Sequence, residues 1–358
     1  MQLLNPKLLT PLVLALLTLA VTVPQTGAQS IYATPYAFTN FAGLAGAQGY
    51  MDDTGSAARF FHPEGLALDS AGNVYVGDEN NVIRIITPAG VVTTLAGNPG
   101  VPGSADGQGS AAGFYGPDGV AVDSATNVYV ADYFNHTIRK IDPAGNVTTL
   151  AGSPGVHGSA DGQGSAALFY YPYGVAVDKA TNVYVVDQFN NTIRKIDPAG
   201  NVTTLAGSPN AAGSADGTGS AARFNSPEHV ALDAAGNLYV GEFNNDTLRM
   251  ITPAGVVTTL AGSPGATGST DGIGSTALFS ALQGVAVDSA GDIYVADCNN
   301  HRISKGSILR PPILMLSWSV GGKLQSATNV LGPWVDVPNS SSPVIEQPTG
   351  PQNFYRVR

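Results

Sequence analysis

An aspartate recurs every 54 or 55 residues and closes a phrase that reads GVAVD in three of its five copies. The five copies are Asp69, Asp123, Asp178, Asp233 and Asp288. A period this regular is typical of repeat proteins, in which one unit cannot bury its apolar face alone and neighbouring units must cover it. The chain is therefore constrained to five similar units that pack on one another.

Each unit contains four short runs with the pattern of β-strands. In the second unit they cover 120–123, 128–131, 137–141 and 147–150, and they are rich in Val, Ile, Thr and Tyr. The clusters SATN, DYFN and DPAGN separate them, as expected for antiparallel strands joined by tight turns. A twisted four-stranded sheet has two faces to cover, and a ring of such sheets covers both. The pattern excludes a helical solenoid and predicts an all-β protein, a five-bladed β-propeller with four antiparallel strands per blade.

Three phrases in these units carry a family resemblance: YVADYFNHTIRKID, YVVDQFNNTIRKID and YVADCNNHRISKG. They resemble the NHL repeat, named after its Asn-His-Leu signature, and the frame around them recurs over residues 38–305. The resemblance implies a β-propeller. The signature histidine is present only as His136 and His301, and other units place Asn81, Asn191 and Asp246 at or near this position. Such drift favours a structural turn over a chemical role.

The two ends of the repeat region complement each other. Residues 38–46, FTNFAGLAG, align with VVTTLAG, the fourth strand of a unit, whereas the last unit has three strand patterns and no TTLAG after them. We expect the N-terminal strand to complete the fifth blade and close the ring, which would protect the open blade edges. The alternative is six blades, with strands of the C-terminal tail contributing to the sixth.

Residues 1–28 have the pattern of a secretory signal peptide. Lys7 precedes an apolar run over 8–23, and the small residues Thr26 and Ala28 follow it. Cleavage after Ala28 predicts a secreted protein that is periplasmic, cell-surface or extracellular, with no membrane span in the mature chain. An uncleaved anchor helix is the alternative, which the short run interrupted by Pro11 disfavours.

Charge and cysteine content exclude further classes. The formal net charge of −10 disfavours binding to a phosphate backbone, so no nucleic-acid partner is expected. The single cysteine, Cys298, excludes an intramolecular disulfide, so that stability must come from packing.

The repeat ends near Ser307, and a Pro-Pro joint leads into a tail of short alternating runs. The pattern LSW…LQSATN…GPWVDV…FYRVR looks like a terminal module of diverse secreted bacterial proteins, a resemblance that implies no activity. We divide the chain into a signal peptide (1–28), an NHL-type β-propeller (29–306) and a small C-terminal β-module (307–358).

Candidate site residues fall into columns, each of which is the set of residues at one position of the repeat. The columns differ in how similar their residues are between units. In a propeller, the linkers between blades and the turns after second strands emerge on one face. There the channel mouth would carry a column that varies between blades, as a specific site would: Glu64, Asp118, Tyr173, Glu228 and Gln283. Its flanks would carry Tyr133, Phe134, Gln188, Phe189 and Phe243.

Two other columns are nearly uniform, which indicates structural positions rather than a site. The carboxylate column is Asp78, Asp132, Asp187, Glu242 and Asp297, and the arginine column is Arg84, Arg139, Arg194 and Arg249. A carboxylate there is expected to accept hydrogen bonds from turn amides or an arginine. The inter-blade linkers repeat a further carboxylate at Asp52, Asp106, Asp161, Asp216 and Asp271. One carboxylate per loop is few for calcium, so turn capping is favoured there.

These observations predict a secreted, non-catalytic binding or scaffold propeller whose inter-blade face recognises a protein, peptide or carbohydrate ligand at the cell exterior. No catalytic residue and no required cofactor are assigned. The carboxylates of Glu64, Asp118 and Glu228 are candidate ligands of a calcium ion. The alternative is a metal-dependent lyase or lactonase-type enzyme at the same mouth, because several propeller enzymes use this place. A third interpretation is a purely structural spacer.

Overall fold

The computed structural model describes residues 40–307 and five short strands between 314 and 357. The predicted signal peptide lies outside the described residues. The described chain is all-β, and its repeat region is a five-bladed β-propeller of antiparallel sheets, as the sequence predicts. In the part of the chain that the model describes, no helix has the length and apolar character needed to cross a membrane.

The first four blades each contain the predicted four-stranded meander, which starts at the strand nearest the axis (β1, β6, β11 or β16). Blade one is β1 (Pro63–Leu68), β2 (Val74–Asp78), β3 (Val82–Ile86) and β4 (Val92–Gly97). Blade two is β5 (Gly107–Gln108), β6 (Pro117–Val122), β7 (Val128–Asp132), β8 (Thr137–Ile141) and β9 (Asn146–Ala151). Blade three is β10 (Gly162–Gln163), β11 (Pro172–Val177), β12 (Val183–Asp187), β13 (Thr192–Ile196) and β14 (Asn201–Gly207). Blade four is β15 (Gly217–Thr218), β16 (Pro227–Leu232), β17 (Leu238–Glu242), β18 (Thr247–Ile251) and β19 (Val256–Ala261).

The observed number of strands differs from the predicted four in four of the five blades. In blades two to four the incoming linker adds a two-residue strand along the fourth strand, as where Gly107 pairs with Val147. Blade five has three strands: β20 (Leu282–Val287), β21 (Ile293–Asp297) and β22 (Arg302–Gly306). Within the described residues it has no fourth strand, and the repeat phrase TTLAG does not follow β22.

The N-terminal residues do not pair with blade five where they are described. Residues 40–46 form no strand, and Gly43 donates its N–H to Gly55 O at 3.0 Å, in the linker of blade one. Ala42 packs against the blade-one cluster that contains Ala58 and Val76. Those contacts hold the segment on blade one, and no hydrogen bond joins residues 40–46 to β22. Residues 38 and 39, the start of the expected closing strand, lie outside the described residues.

The turn between the first two strands of a unit is closed by the repeat aspartate. Asp123 Oδ1 accepts the backbone N–H groups of Ala125 and Asn127, both at 2.9 Å. Its Oδ2 accepts Asn127 Nδ2 at 2.9 Å and the Tyr129 hydroxyl at 3.1 Å. The side chain thus takes the place of a backbone turn and fixes the register of the hairpin.

The core lies between blades. Phe169 is fully buried among Ala121 and Ala151 of blade two and Val185 of blade three, and Phe114 and Phe224 are also fully buried. Small residues on one sheet face large ones on the next, so neighbouring sheets interdigitate.

First strands approach each other closely around the axis. A Cβ added to Gly119 would lie 2.2 Å from Tyr173 O in the next blade. Only glycine allows this spacing, which brings the starts of the first strands together at the mouth of the channel.

Beyond the propeller, the described strands are β23 (Leu314–Leu316), β24 (Leu324–Ala327), β25 (Val335–Asp336), β26 (Val344–Glu346) and β27 (Phe354–Val357). β23 pairs with β26, and β24 pairs with both β25 and β27, all antiparallel.

Candidate ligand-binding face

The turn after each second strand is joined to the end of the linker of the same blade. In blade two, Tyr133 N–H donates to Gly116 O at 3.2 Å and Phe134 N–H donates to Tyr115 O at 3.1 Å. Blade three repeats the pattern from Phe189 to Tyr170. Two sets of loops therefore form one face, where the sequence placed the candidate site.

A buried arginine lies beneath this face in each of the first four blades. Arg139 donates to Asp132 at 2.8 Å and to Asp106 of the linker at 2.9 Å. It also donates to the carbonyl groups of Gly113 at 2.7 Å and Ala105 at 2.9 Å. The same pairing recurs at Arg84 with Asp78 and Asp52, Arg194 with Asp187 and Asp161, and Arg249 with Glu242 and Asp216. The two uniform columns and the linker aspartates are thus occupied in holding linkers to sheets.

Of the three carboxyl residues at the channel mouth, Asp118 and Glu228 are buried and Glu64 is exposed, and their charges lie close enough to act on one another. Asp118 is 8% exposed, and its Oδ1 atom has no hydrogen-bond partner. Burial, and then repulsion from Glu64, Glu79 and Glu228, raises the pKa of Asp118 to about 8. Burial and the charge of Glu79 also raise the pKa of Glu64. Asp118 therefore keeps its proton near neutral pH.

A chain of hydrogen bonds joins the mouth residues of three blades. The Tyr133 hydroxyl donates to Gln188 Oε1 at 3.2 Å, and Gln188 Nε2 donates to Glu228 Oε1 at 3.1 Å. Burial raises the pKa of Glu228 to about 7, although Gln283 and Gln188 favour its charged form. Polar groups predicted separately from the sequence thus form one connected set.

His229 and Tyr173 complete this part of the mouth. Their rings are 5.1 Å apart in an edge-to-face arrangement. Burial lowers the pKa of His229 to about 4, so its ring is neutral, and its Nδ1 atom has no hydrogen-bond partner. Together with Asp118 Oδ1, this atom gives the mouth unsatisfied hydrogen-bonding capacity.

An aromatic platform lies beside the mouth on blades two and three. We define it as Tyr115, Tyr133, Phe134, Tyr170, Tyr171 and Phe189. Tyr133 stacks on Tyr171 with ring centroids 4.7 Å apart, and Phe189 lies 4.9 Å from Tyr171. Tyr115 and Phe134 are 4.7 Å apart. Phe134 and Phe189 remain 43% and 50% exposed, so the platform presents rings to solvent.

Half of the platform was not among the residues predicted from the sequence. Tyr115, Tyr170 and Tyr171 directly follow the buried linker phenylalanines, and the corresponding positions in blade four are Asn225 and Ser226. The signal was available as aromatic residues confined to some units. Comparing this column between units would have found them.

The structure does not bring every predicted residue to the platform. Phe243 is half-buried on blade four, and among residues 40–307 it makes no aromatic ring contact. Its neighbour Asn244 donates instead to Ser226 Oγ at 2.7 Å. The platform therefore does not extend to blade four.

Metal coordination has little geometric support in the described part of the chain. There, no group of three or more His, Cys, Asp or Glu side chains is arranged to hold an ion. The linker aspartates are bound to arginines, as Asp106 is to Arg139. Calcium binding by Glu64, Asp118 and Glu228 stays a prediction.

Comparison with known proteins places the repeats in a family. The model of the NHL repeat matches residues 114–141 and 279–305, so the chain carries NHL repeats. It is 30% identical over 283 residues to the Protein SUPPRESSOR OF QUENCHING 1, chloroplastic, of Arabidopsis thaliana, and the match covers 58% of this chain. The match spans only 26% of that relative's length.

Solved structures with similar folds carry different functional descriptions. An auxiliary nutrient binding protein from Bacteroides thetaiotaomicron aligns with a TM-score of 0.49 and 16% identity, covering 75% of each chain. Virginiamycin B lyase from Staphylococcus aureus aligns with a TM-score of 0.45 and 16% identity, covering 70% of this chain and 71% of that one.

Proposed function

We propose that this five-bladed propeller of NHL repeats is a non-catalytic binding protein of the cell exterior, and that its ligand is a carbohydrate. The observation that carries the proposal is the aromatic platform beside the buried hydrogen-bonding groups of the mouth. The exterior location rests on the signal peptide predicted at residues 1–28.

A sugar ring has an apolar face of C–H groups and an edge of hydroxyl groups, and the two parts of the site match these. Exposed rings such as Phe134 and Phe189 offer flat apolar area at little entropic cost. The mouth offers amide, phenol and carboxyl groups within one hydrogen-bond chain. A few polar groups beside apolar rings are what fixes the orientation of a small ligand.

The charge of the mouth narrows the ligand further. The ionised forms of Glu64 and Glu228 would repel an anion, while the protonated forms of Asp118 and Glu228 donate hydrogen bonds as well as accept them. We therefore propose a neutral oligosaccharide. A proline- or aromatic-containing peptide is the rival that the experiment must separate.

The experiment is binding of neutral oligosaccharides and of a peptide library to the purified mature chain, followed by calorimetry on the best ligand. We expect Phe134→Ala and Phe189→Ala each to weaken binding about tenfold, the equivalent of about 1.4 kcal/mol. Phe243→Ala is the matched control, because it removes a similar ring outside the platform. Equal weakening by all three variants, or binding of peptides only, would contradict the carbohydrate proposal.

A second candidate, the lyase or lactonase-type enzyme, draws on one observation. Asp118, Glu228 and His229 have shifted pKa values in a cleft, and such groups often serve as acids or bases. Chemical analysis of the ligand after prolonged incubation separates the two: unchanged ligand favours binding, while conversion abolished in Asp118→Asn favours catalysis. Repeating the calorimetry with a chelator tests the calcium prediction.

A further inference from the structure

Among residues 40–307, the propeller ring is open between blade five and blade one. On β1, Leu66 and Leu68 are 65% and 66% exposed. The residues at the position of Leu66 in the next three blades, Val120, Val175 and Val230, are 6–8% exposed because each faces the preceding blade. The face of blade one that should meet a preceding blade is therefore uncovered.

The opposite face, on blade five, is uncovered in the same way. Ile303 is 66% exposed, whereas its counterparts Ile83, Ile138 and Ile193 are 0% exposed and Leu248 is 4% exposed. A Cβ added to Gly284 would meet only Ala296 of its own blade, at 3.4 Å. No neighbouring strand approaches blade five from this side in the described residues.

The N-terminal segment marks the far side of the opening. Gly43 N–H donates to Gly55 O, as Gly152 at the end of a fourth strand donates to Gly164 O. Ala42 packs in the cluster that contains Ala58 of the linker. In the same way, Ala96 of β4 packs in the cluster that contains Ala112 of the next linker. Residues 40–43 therefore lie where the outer strand of a preceding blade ends, although blade five does not hold them.

The open sector, which we define as the faces bearing Leu68 and Ile303 with the groove beside residues 40–48, has room for further chain. The groove has a volume of about 680 Å³ and is lined by Ala42, Leu44, Phe60 and His62 among others. Leaving both apolar faces in water forgoes the burial that stabilises every other blade junction.

We propose that the chain's own C-terminal segment, residues 308–358, docks in the open sector and covers both faces as a sixth layer of the ring. The segment follows β22 directly, contains five short strands and is about as long as one repeat unit. Its first strand, Leu314–Leu316, consists only of apolar residues. This inference is independent of the proposed carbohydrate ligand.

Tethering favours this occupant over a second copy of the chain. A segment attached one residue after β22 reaches the sector at high effective concentration. A second copy would lose translational and rotational freedom on binding.

Both tryptophans of the chain, Trp318 and Trp334, lie in this segment, so tryptophan fluorescence of the full-length chain reports on the segment alone. We expect Leu68→Asp and Ile303→Asp to shift the emission to longer wavelength and to increase quenching by acrylamide. Ile273→Asp is the matched control, because Ile273 is 70% exposed on a linker outside the sector. Unchanged emission in both sector variants, or an equal change in the control, would overturn the proposal.

Hydrogen exchange of the unmodified full-length chain provides a second measurement that does not depend on the variants. We expect peptides that cover β1 and β22 to be protected as strongly as those that cover β6 and β8. Rapid exchange in β1 and β22 would overturn the proposal. So would protection that appears only at protein concentrations where sedimentation shows dimers, because a second copy would then fill the sector.

Discussion

Arg302 Nε lies 2.7 Å from Asp297 Oδ2, although Arg302 stands two residues earlier in its strand than Arg249 does in blade four. Its Nη1 lies 2.9 Å from Asp271. Arg302 therefore binds the carboxylates of the second-strand turn and of the linker, which are the equivalents in blade five of those that the buried arginines bind in other blades. Ser304 occupies the usual arginine position. Blade five thus has the same ion pairs between turn, linker and sheet, but its arginine stands at the first position of the third strand instead of the third.

This difference predicts unequal costs of removing the two kinds of arginine. Arg139 is fully buried, and its loss would leave Asp132 buried without its partner, so Arg139→Ala should lower the free energy of unfolding by about 3–5 kcal/mol. The Arg302 side chain is 28% exposed, so water replaces it beside the buried Asp297, which also keeps the hydrogen bonds from Ser280 N–H and Asn300 Nδ2; Arg302→Ala should therefore cost less, about 1–2 kcal/mol. Denaturant unfolding of both variants measures the difference. Equal losses would contradict the assignment of Arg139 as a buried clamp.

The sequence predicted the columns and the pairing of a carboxylate with an arginine, but not that the linker aspartates join the same arginine. Asp132, Arg139 and Asp106 were each visible as repeated residues, and the repeat period and turn chemistry predicted the blades. The path of a long linker is set by its packing, which no local pattern encodes. The contact between Asp106 and Arg139, 33 residues apart, could therefore not be predicted.

The candidate site shows the same division. The variable column predicted Asp118 and Glu228 at the mouth, because position in the repeat determines position around the ring. The stacking of Tyr133 on Tyr171 depends on side-chain directions in irregular loops. The expected closure by residues 38–46 relied on strand alignment alone, whereas contacts to Ala58 and Gly55 decide where residues 40–43 lie.

The buried Asp118 should make stability fall as pH rises. Its pKa is raised from 3.8 to about 8 in the native state, so between these values the native state holds a proton that the unfolded chain has lost. Stability from this group is complete below the unfolded pKa and is lost as pH approaches the native value, by up to about 1.4 kcal/mol per pH unit. Asp118→Asn should therefore raise the Tm relative to the native chain more at about pH 8 than at about pH 5.

The control for that experiment is Asp142→Asn. Hydrogen bonds from Asn146 lower the pKa of the exposed Asp142, so its neutral replacement should bring no gain at the higher pH. A difference in Tm between Asp118→Asn and the native chain that stays constant with pH would show that Asp118 is ionised throughout.

The turn aspartates should give the opposite pH dependence, in which stability falls as the pH falls. Burial opposes ionisation of Asp123, but hydrogen bonds from Asn127, Tyr129 and Ala125 outweigh it and lower the pKa of Asp123. Stability from this group is present above 3.8 and is lost as pH falls through the lower native value. Asp123→Ala should cost about 1–3 kcal/mol at neutral pH, because it leaves the half-buried Asn127 and the buried Tyr129 without their acceptor. Its deficit should shrink in acid, and unfolding curves at several pH values test this; a deficit independent of pH would contradict the role of the charge.

The close approach of first strands predicts a strict requirement for glycine near the axis. In Gly119→Ala the new Cβ would lie 2.2 Å from Tyr173 O, a backbone atom that cannot turn away, so blades two and three must separate. We expect a loss of about 3 kcal/mol or more. Gly306→Ala is the control, since its Cβ would meet nothing nearer than Ile293 O at 4.0 Å. Thermal unfolding of the two variants distinguishes them, and a Gly119→Ala chain as stable as Gly306→Ala would mean that the first strands lie farther apart in solution than the fold described above requires.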